Sequence, residues 1–173
     1  MKIHLVLPLK KHQNDIEAFL RACENNPSGE MAGTSQVENL PFDVWLTKVY
    51  NNLFQRDMEE GYVEASTFLI YADTQLVGFM NIRHCLNAFL EEAGGHIGYM
   101  IHPEHRRLGY AKAALKDALD FAQNALKLNK VLITCSKGNE ASKRTILALN
   151  GKYENTVDNE VLGTVERYWI KLN

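Results

Sequence analysis

The segment from residue 94 to residue 125 most strongly constrains the fold, because it predicts a short strand (residues 95–101), a tight loop and a long helix. The loop contains Arg106, Gly109 and Ala111, spaced as Arg-x-x-Gly-x-Ala. Backbone N–H groups and the positive end of a helix dipole converge on an anion in this layout. Small residues let a diphosphate approach the backbone, and Arg106 and Arg107 add charge and donors. The segment therefore predicts a phosphate-binding loop.

A nucleotide P-loop is the competing interpretation of this loop. It requires a Gly-Lys-Ser/Thr sequence, whose lysine and hydroxyl hold a triphosphate and its magnesium ion. No such sequence follows the loop, so the pattern argues against a P-loop.

Length and charge bound the classes of protein that the chain can belong to. The chain has 173 residues, of which 46% are hydrophobic, and these predict a single domain over residues 1–173 with a core of its own. The formal net charge of −2 argues against a general nucleic-acid or anionic-membrane binder, since both need an excess of positive charge. We therefore expect neither partner, and we expect a monomer or a homodimer.

The cysteines and the first residues predict the compartment. Cys23, Cys85 and Cys135 lie far apart without C-x-x-C spacing, which favours free thiols in a reducing, cytoplasmic environment. Residues 1–8 are too short, and too soon interrupted by Pro8, for a signal peptide or a membrane span. They predict a first strand instead.

Periodicity predicts the remaining elements. Helices are expected at 14–24, 42–54, 111–126 and 139–149, and further strands at 66–71, 76–84, 130–135, 153–157 and 165–172. Asn26-Pro27 is expected to end the first helix. Residues 28–36 form a loop with two glycines, and a binding role and a passive connection both stay open.

The strand at 76–84 carries two polar residues of interest. A period of two divides its side chains between two faces, with Phe79, Asn81 and Arg83 on one and Met80, Ile82 and His84 on the other. Asn81 and Arg83 are candidate substrate-binding residues. The alternative is that both are ordinary polar residues on a partly wet face.

The chain resembles the GNAT acyltransferase (N-acetyltransferase) superfamily over essentially its whole length. The similarity lies in Arg106-x-x-Gly109-x-Ala111, in Asn139-x-x-Ser142-x-Arg144 after a strand, in Asn150-Gly151, and in the element order. Three finer motifs resemble a bacterial branch described as predicted acetyltransferases: Arg83-His84-x-Leu86-Asn87, residues 94–99 (Gly-Gly-His-Ile-Gly-Tyr) and residues 167–170 (Arg-Tyr-Trp-Ile).

This resemblance implies an α/β fold with a mixed, mostly antiparallel central sheet of about seven strands and helices on both faces. It implies acetyl transfer from acetyl-CoA, without a metal, to a primary amine of a small molecule or peptide. The implied cofactor-binding residues are Met100, Ile101 and His102 through free backbone groups, with Arg106, Arg107, Leu108, Gly109, Tyr110, Ala111, Asn139, Ser142 and Arg144. Lys143 and Arg144 are candidates for the ribose phosphate, and the alternative is that both are ordinary exposed basic residues of a helix.

Acyl transfer to an amine needs a general base, and His96 is the first candidate. An imidazole with a pKa of about 6.5 works near neutral pH, and His96 lies on the central strand. Glu91 and Glu92 are the second candidates. The alternative is that His96 is a structural residue of the strand.

The family's usual acid differs here, since Ile146 stands where many members have a tyrosine. Tyr99, Tyr110 and Tyr153 are substitutes that no motif places, and water is a further alternative because a thiol has a pKa of about 8.5. The rival class is a catalytically silent acyl-CoA-binding or sensing domain, which Ile146 favours and His96 disfavours.

The histidines also invite a metal interpretation. His102 and His105 are three residues apart and His84 is a further histidine, but Pro103 separates the first two and no carboxylate or cysteine cluster accompanies them. We expect no metal site.

Overall fold

The computed structural model describes residues 2–24 and 31–172. The strands are β1 (Ile3–Val6), β2 (Ala65–Ala72), β3 (Gln75–Arg83), β4 (Ile97–Ile101), β5 (Lys130–Ser136), β6 (Lys152–Asn159) and β7 (Gly163–Lys171). The α-helices are α1 (Gln13–Cys23), α2 (Phe42–Phe54), α3 (Tyr110–Asn124) and α4 (Glu140–Leu147). Short turns of other helical types lie at Lys10–His12, Val37–Asn39, Leu90–Gly94 and Pro103–His105.

The expected element order is confirmed, with ends that shift by a few residues. The prediction left residues 86–95 as a loop or one helical turn, and the structure has a π-helical turn at Leu90–Gly94. The expected helix end at Asn26-Pro27 and the start of the 28–36 loop lie outside the described residues.

The seven strands form two antiparallel sheets rather than one continuous sheet. The first has the order β1-β2-β3-β4 and the second the order β5-β7-β6. The expected mixed α/β, mostly antiparallel fold is confirmed, and the finding adds that β4 and β5 part from each other. The edge strand β4 therefore has a hydrogen-bonded neighbour on one side, β3.

Each face of the first sheet is covered by a different pair of helices. On one face, Ile82, Ile97 and Ile101 join a core with residues of α3 and α4, and we call this the α3–α4 face. On the other, Phe79 and Met100 pack with residues of α1 and α2, and we call this the α1–α2 face. The predicted alternation along β3 is thus confirmed, since Met80 and Ile82 lie opposite Phe79.

No helix among residues 2–24 and 31–172 is both long and apolar enough to cross a membrane.

Candidate active site

Hydrogen bonds join the two sheets between His96, directly before β4, and Leu132 of β5. The His96 N–H donates to Leu132 O at 2.7 Å, and the Leu132 N–H donates to His96 Nδ1 at 2.9 Å. Beyond this contact no ladder joins β4 to β5 in the part of the chain that the structure describes. The split therefore opens from His96 toward the end of β4.

Alternate residues of β4 have backbone N–H and C=O groups that do not bond to β3. The ladder to β3 runs from the Arg83 N–H, which donates to His96 O, to the His102 N–H, which donates to Val77 O at 2.9 Å. In an antiparallel ladder alternate residues face the neighbouring strand. Met100 therefore turns its backbone groups toward β3, while Tyr99 and Ile101 turn theirs toward the split.

This alternation disagrees with two expected pantetheine contacts. The expectation was that Met100, Ile101 and His102 hold the cofactor through free backbone groups. Besides its N–H, the His102 carbonyl is also used, because it accepts from the His105 N–H at 2.9 Å. The backbone groups of Met100 and His102 bond to β3 and to the following turn. The backbone groups that face the split therefore belong to Tyr99 and Ile101.

The loop after β4 ends at Gly109, directly before α3. Gly109 caps α3 with a φ of 84°, in the left-handed region that glycine adopts at little cost. The first helical hydrogen bond of α3 runs from the Ala113 N–H to Gly109 O at 3.1 Å. The N–H groups of Tyr110, Ala111 and Lys112 thus lack an intrahelical acceptor, and they leave the helix end able to bind an anion.

The basic residues of this loop differ in their surroundings. Arg106 Nε donates to Ile101 O at 3.1 Å, which folds its side chain back onto the end of β4. Arg107 and Leu108 are exposed, and Arg107 has a φ of 64°. Two left-handed residues, Arg107 and Gly109, therefore shape the turn.

The start of α4 lies across the split from β4. Asn139 Oδ1 caps the helix by accepting from the Ser142 N–H at 3.1 Å, as the sequence predicted. The Ser142 Oγ lies 3.0 Å from the hydroxyl of Tyr99. Burial is the main cause that raises the pKa of Tyr99, so its hydroxyl stays protonated at neutral pH. Tyr99 thus spans the split from β4 to α4.

The other tyrosines considered as acids lie elsewhere. Tyr110 opens α3 with its ring near His105, and Tyr153 is exposed on β6 with its hydroxyl 2.8 Å from Thr156. Ile146 is fully buried in the core of the α3–α4 face.

The two basic residues of α4 are also distinct. Lys143 Nζ pairs with Glu166 at 3.2 Å, whereas Arg144 is exposed and its Nε donates to Glu140 O at 3.1 Å. Lys143 thus has a carboxylate partner, whereas the hydrogen bond of Arg144 goes to a backbone carbonyl.

The contacts of His96 disagree with a role as general base. Its ring nitrogen Nδ1 already accepts from Leu132, and the residue is 6% exposed. Burial, first among several causes, lowers the pKa of His96 to about 4. The Nδ1 lone pair that would remove a proton therefore already accepts the hydrogen bond from Leu132. This contact favours the alternative that His96 is a structural residue.

Glu91 and Glu92 lie on the π-helical turn, which packs on the second sheet. Thr134 Oγ1 donates to Ala93 O at 2.7 Å, and the Arg167 NH2 group donates to Glu91 O at 2.9 Å. Asn159 Nδ2 donates to Glu92 Oε1 at 3.1 Å. Both carboxylates are exposed to solvent.

On the α1–α2 face, Asn81 belongs to a small polar network. Its Nδ2 donates to Thr67 Oγ1 at 3.0 Å and to Ser35 Oγ at 3.3 Å, and the two hydroxyls are 2.8 Å apart. Thr67, Asn81 and Gly98 stand in register across β2, β3 and β4. Sequence reasoning found Asn81 but missed Ser35 and Thr67, and only Thr67 had an available signal, the register of the β2–β3 hairpin.

The loop before α2 rests on β4 beside this network. A Cβ added at Gly33 would collide with the carbonyl oxygen of Gly98, and one added at Gly98 would lie 3.3 Å from Gly33 N. Trp45 Nε1 donates to Thr34 O at 2.8 Å and ties the loop to α2. Of the predicted 28–36 loop, residues 31–36 thus cover the face of the split opposite α3.

Arg83 lies at the same face, next to the π-helical turn. Its NH1 group donates to Gly94 O at 3.2 Å and to Gly95 O at 3.3 Å. NH1 would lie 3.5 Å from a Cβ added at Gly98. Burial is the main cause that lowers the pKa of Arg83. The structure therefore brings Arg83 to β4, close to Asn81.

A search of residues 2–24 and 31–172 found no cluster of three or more His, Cys, Asp and Glu side chains suited to a metal ion. His102 Nδ1 instead accepts from the Glu104 N–H at 3.3 Å and caps the turn after β4.

Comparison with known proteins identifies the family. The chain has a split antiparallel sheet and, directly after the strand at the split, a helix whose first N–H groups lack an intrahelical acceptor. The chain belongs to the GNAT acetyltransferase family, since the profile of the acetyltransferase (GNAT) domain matches residues 6–151. A search of curated proteins found no match.

Solved structures share the fold at low sequence identity. RimL, a ribosomal L7/L12 α-N-protein acetyltransferase in complex with coenzyme A, is 14% identical with a TM-score of 0.74, over 99% of this chain and 95% of that one. A spermidine N-acetyltransferase SpeG chimera from Vibrio cholerae and hSSAT is 17% identical with a TM-score of 0.66, over 99% and 96%. The microcin C7 self-immunity acetyltransferase MccE, in complex with acetyl-CoA and AMP, is 13% identical with a TM-score of 0.70, over 99% and 93%.

Proposed function

We propose that this acetyltransferase moves an acetyl group from acetyl-CoA to a primary amine of a small molecule or peptide. The observation that carries the proposal is the split between β4 and β5, followed directly by the loop with free N–H groups at Tyr110, Ala111 and Lys112. The split suits an extended pantetheine arm and the loop suits its diphosphate. Relatives that share the fold bind coenzyme A or acetyl-CoA, which supports the same cosubstrate here.

Each cofactor group has a proposed partner. The N–H groups of Tyr99 and Ile101 face the split and hold the pantetheine arm and the acyl carbonyl. The residues from Arg106 to Ala111 bind the diphosphate, and Asn139, Ser142 and Arg144 border the cofactor from α4.

The reaction forms one C–N bond and breaks one C–S bond. A neutral amine attacks the thioester carbon, the developing oxyanion is stabilised by a backbone N–H of β4, and the thiolate leaves. The ammonium proton goes to a base or to water, and the thiolate gains a proton on release.

Tyr99 is the proposed donor to the departing sulfur. It comes from the strand that borders the split, and its hydroxyl reaches Ser142 at the start of α4. A protonated hydroxyl in this position stabilises a thiolate by a charge-assisted hydrogen bond. It would do the work of the tyrosine that many family members carry at the position of Ile146.

Glu91 and Glu92 are the proposed bases, and His96 is proposed as a positioning residue. The two carboxylates are exposed on a turn whose end, at Gly94 and Gly95, is bonded to Arg83 beside β4. His96 would hold the two sheets together where the split begins, as its two bonds to Leu132 suggest.

The second candidate function is a domain that binds acyl-CoA without catalysis, and the buried Ile146 at the usual acid position favours it. Thiol release from acetyl-CoA, followed against a library of amines, separates the two functions. Calorimetry with coenzyme A is run in parallel. Binding with amine-dependent thiol release supports the transferase, binding without it supports the silent domain, and no binding contradicts both.

A further inference from the structure

The guanidinium of Arg83 lies beside the split without an anionic partner. Its two hydrogen bonds go to the carbonyls of Gly94 and Gly95, and it forms no ion pair with any carboxylate in the described part of the chain. We propose that the acceptor is an amine that carries a carboxylate near its nitrogen, in the manner of an amino acid, and that this carboxylate binds Arg83. This inference rests on the proposed acetyltransferase function.

Other cations in the structure show what Arg83 lacks. Lys48 pairs with Glu59 at 3.1 Å, Lys143 with Glu166 at 3.2 Å, and Arg167 with Glu154 at 2.6 Å. A guanidinium removed from water keeps its charge, so burial without an anion is costly. Arg83 is only partly accessible, and its surroundings therefore favour the binding of an anion.

The geometry of an arginine suits a carboxylate. Its planar fork presents parallel N–H groups that bind both carboxylate oxygens. The NH1 group of Arg83 contacts the two turn carbonyls, which leaves Nε and NH2 as the side of the fork without a hydrogen bond to a described residue. An acceptor carboxylate would bind on that side.

The absence of a side chain at Gly98 lets both the Gly33 backbone and the guanidinium of Arg83 lie close to β4. Since NH1 would lie 3.5 Å from a Cβ at this position, a larger side chain would cover the guanidinium. Tyr99 and Ile101, whose N–H groups face the split, are one and three residues further along β4, about 3 and 10 Å at the rise of a strand. A carboxylate on Arg83 would thus lie within roughly 10 Å of the thioester, which suits a short molecule with both groups.

The same geometry disfavours a polyamine. A second ammonium group beside Arg83 would face a like charge, which is repulsive at short range. The chemistry at this site therefore differs from that required for a spermidine-like acceptor.

The test compares amino acids with their amides. The twenty proteinogenic amino acids and their C-terminal amides, in which a neutral carboxamide replaces the carboxylate, are assayed by thiol release from acetyl-CoA. Rates are expressed per concentration of neutral amine, because loss of the carboxylate lowers the pKa of the amine. We expect the best amino acid to exceed its amide by about tenfold or more in kcat/KM, the scale of a hydrogen bond to a charged group. Equal or faster acetylation of amides, or of spermidine, overturns the inference and leaves the proposed function standing.

Two variants separate charge recognition from a structural role. Arg83→Gln should raise KM for the amino acid about tenfold or more while the rate with its amide stays within about twofold. Arg83→Lys keeps the charge and should retain part of the preference. Arg56→Gln, an exposed arginine over the Phe54 ring, is the matched control and should behave as the parent. Equal loss on acid and amide in Arg83→Gln would overturn the inference, since it shows a structural role.

A binding measurement covers the case without turnover. N-acetylated amino acids and their amides are titrated by calorimetry into the parent protein saturated with coenzyme A. Preferential binding of the acids, lost in Arg83→Gln, supports the inference even if no amine is acetylated, and the proposed function alone would then fail. If neither turnover nor binding distinguishes acids from amides, the inference is wrong.

Discussion

His96 and Leu132 exchange two hydrogen bonds, one from backbone to backbone at 2.7 Å and one from the Leu132 N–H to the imidazole Nδ1 at 2.9 Å. The imidazole of His96 thus supplies the second hydrogen bond between the two sheets, in place of a backbone carbonyl. The imidazole must stay neutral at Nδ1 to accept that bond, so the joint depends on pH.

The first prediction concerns stability in acid. The pKa of His96 is lowered to about 4 from 6.5, so the unfolded chain binds more protons than the folded one between these values. The free energy of unfolding should therefore fall as the pH drops from about 6.5 to 4. His96→Gln keeps an acceptor for the Leu132 N–H but cannot titrate, so denaturant unfolding of this variant should show a shallower fall. The fall in the free energy of unfolding should not vanish in this variant, because burial also lowers the pKa values of His12 and His102.

His4→Gln, at an exposed position on β1, is the control and should follow the parent. A variant of His96 with the parent's full pH slope would show that the imidazole does not titrate as described.

The second prediction is that His96→Gln keeps most of its turnover. If His96 positions the sheets, the variant should retain its rate within about tenfold, with the parent's acidic limb in the pH profile. A loss of about 10²-fold or more in a folded variant, together with the loss of a limb near pH 6–7, would instead assign the base to His96.

The third prediction places coenzyme A in the loop after β4. Gly109→Glu should abolish binding in calorimetry, because a carboxylate would occupy the diphosphate site at the start of α3. The control is Gly61→Glu, since Gly61 shares the φ of 84° and has open space around it, so the backbone strain is matched. Parent-like affinity in Gly109→Glu would show that the cofactor binds elsewhere.

The fourth prediction concerns Arg106. Arg106→Ala should weaken coenzyme A binding by roughly 1.5–3 kcal/mol, through loss of a bond to the diphosphate. Arg21→Ala, an arginine of α1 whose side chain is 66% exposed, should leave the dissociation constant unchanged. An unchanged constant in Arg106→Ala would show that Arg106 does not bind the diphosphate.

The fifth prediction concerns the departing thiolate. Tyr99→Phe should lower turnover about tenfold to a hundredfold while coenzyme A affinity stays close to that of the parent, because the hydroxyl acts on charge that develops late in the reaction. Tyr153→Phe removes a hydroxyl from an exposed ring and should have no effect. Equal rates in Tyr99→Phe and the parent would leave the proton to water.

The sequence predicted what depends on local pattern. The α2 boundaries and the Asn139 cap of α4 each follow from a residue type at a fixed position, and the structure has them. The relations that need strand register were not predictable in this way. That Met100 turns its backbone away from the split, and that Leu132 uses the lone pair of His96, depends on which residues of β3 and β5 lie opposite β4.

Ser35 and Thr67 were missed for a related reason. They are 32 positions apart in the chain, and no spacing rule joins a loop serine to a strand threonine. Their contact forms because residues 31–36 rest on the sheet. The loop is held there by its hydrogen bond to Trp45 of α2, a tertiary contact that no local pattern predicts.

The contact between Gly33 and Gly98 also fixes what substitution can and cannot alter. The contact is between backbone atoms, so the distance between residues 31–36 and β4 does not depend on a side chain at either position. A side chain at Gly33 would push residues 31–36 away from β4, whereas one at Gly98 would require only a small shift of the Gly33 backbone. If the acceptor binds at this face, we therefore expect its selectivity to change through the neighbouring side chains of Ser35, Asn81 and Arg83 and not through Gly33 or Gly98.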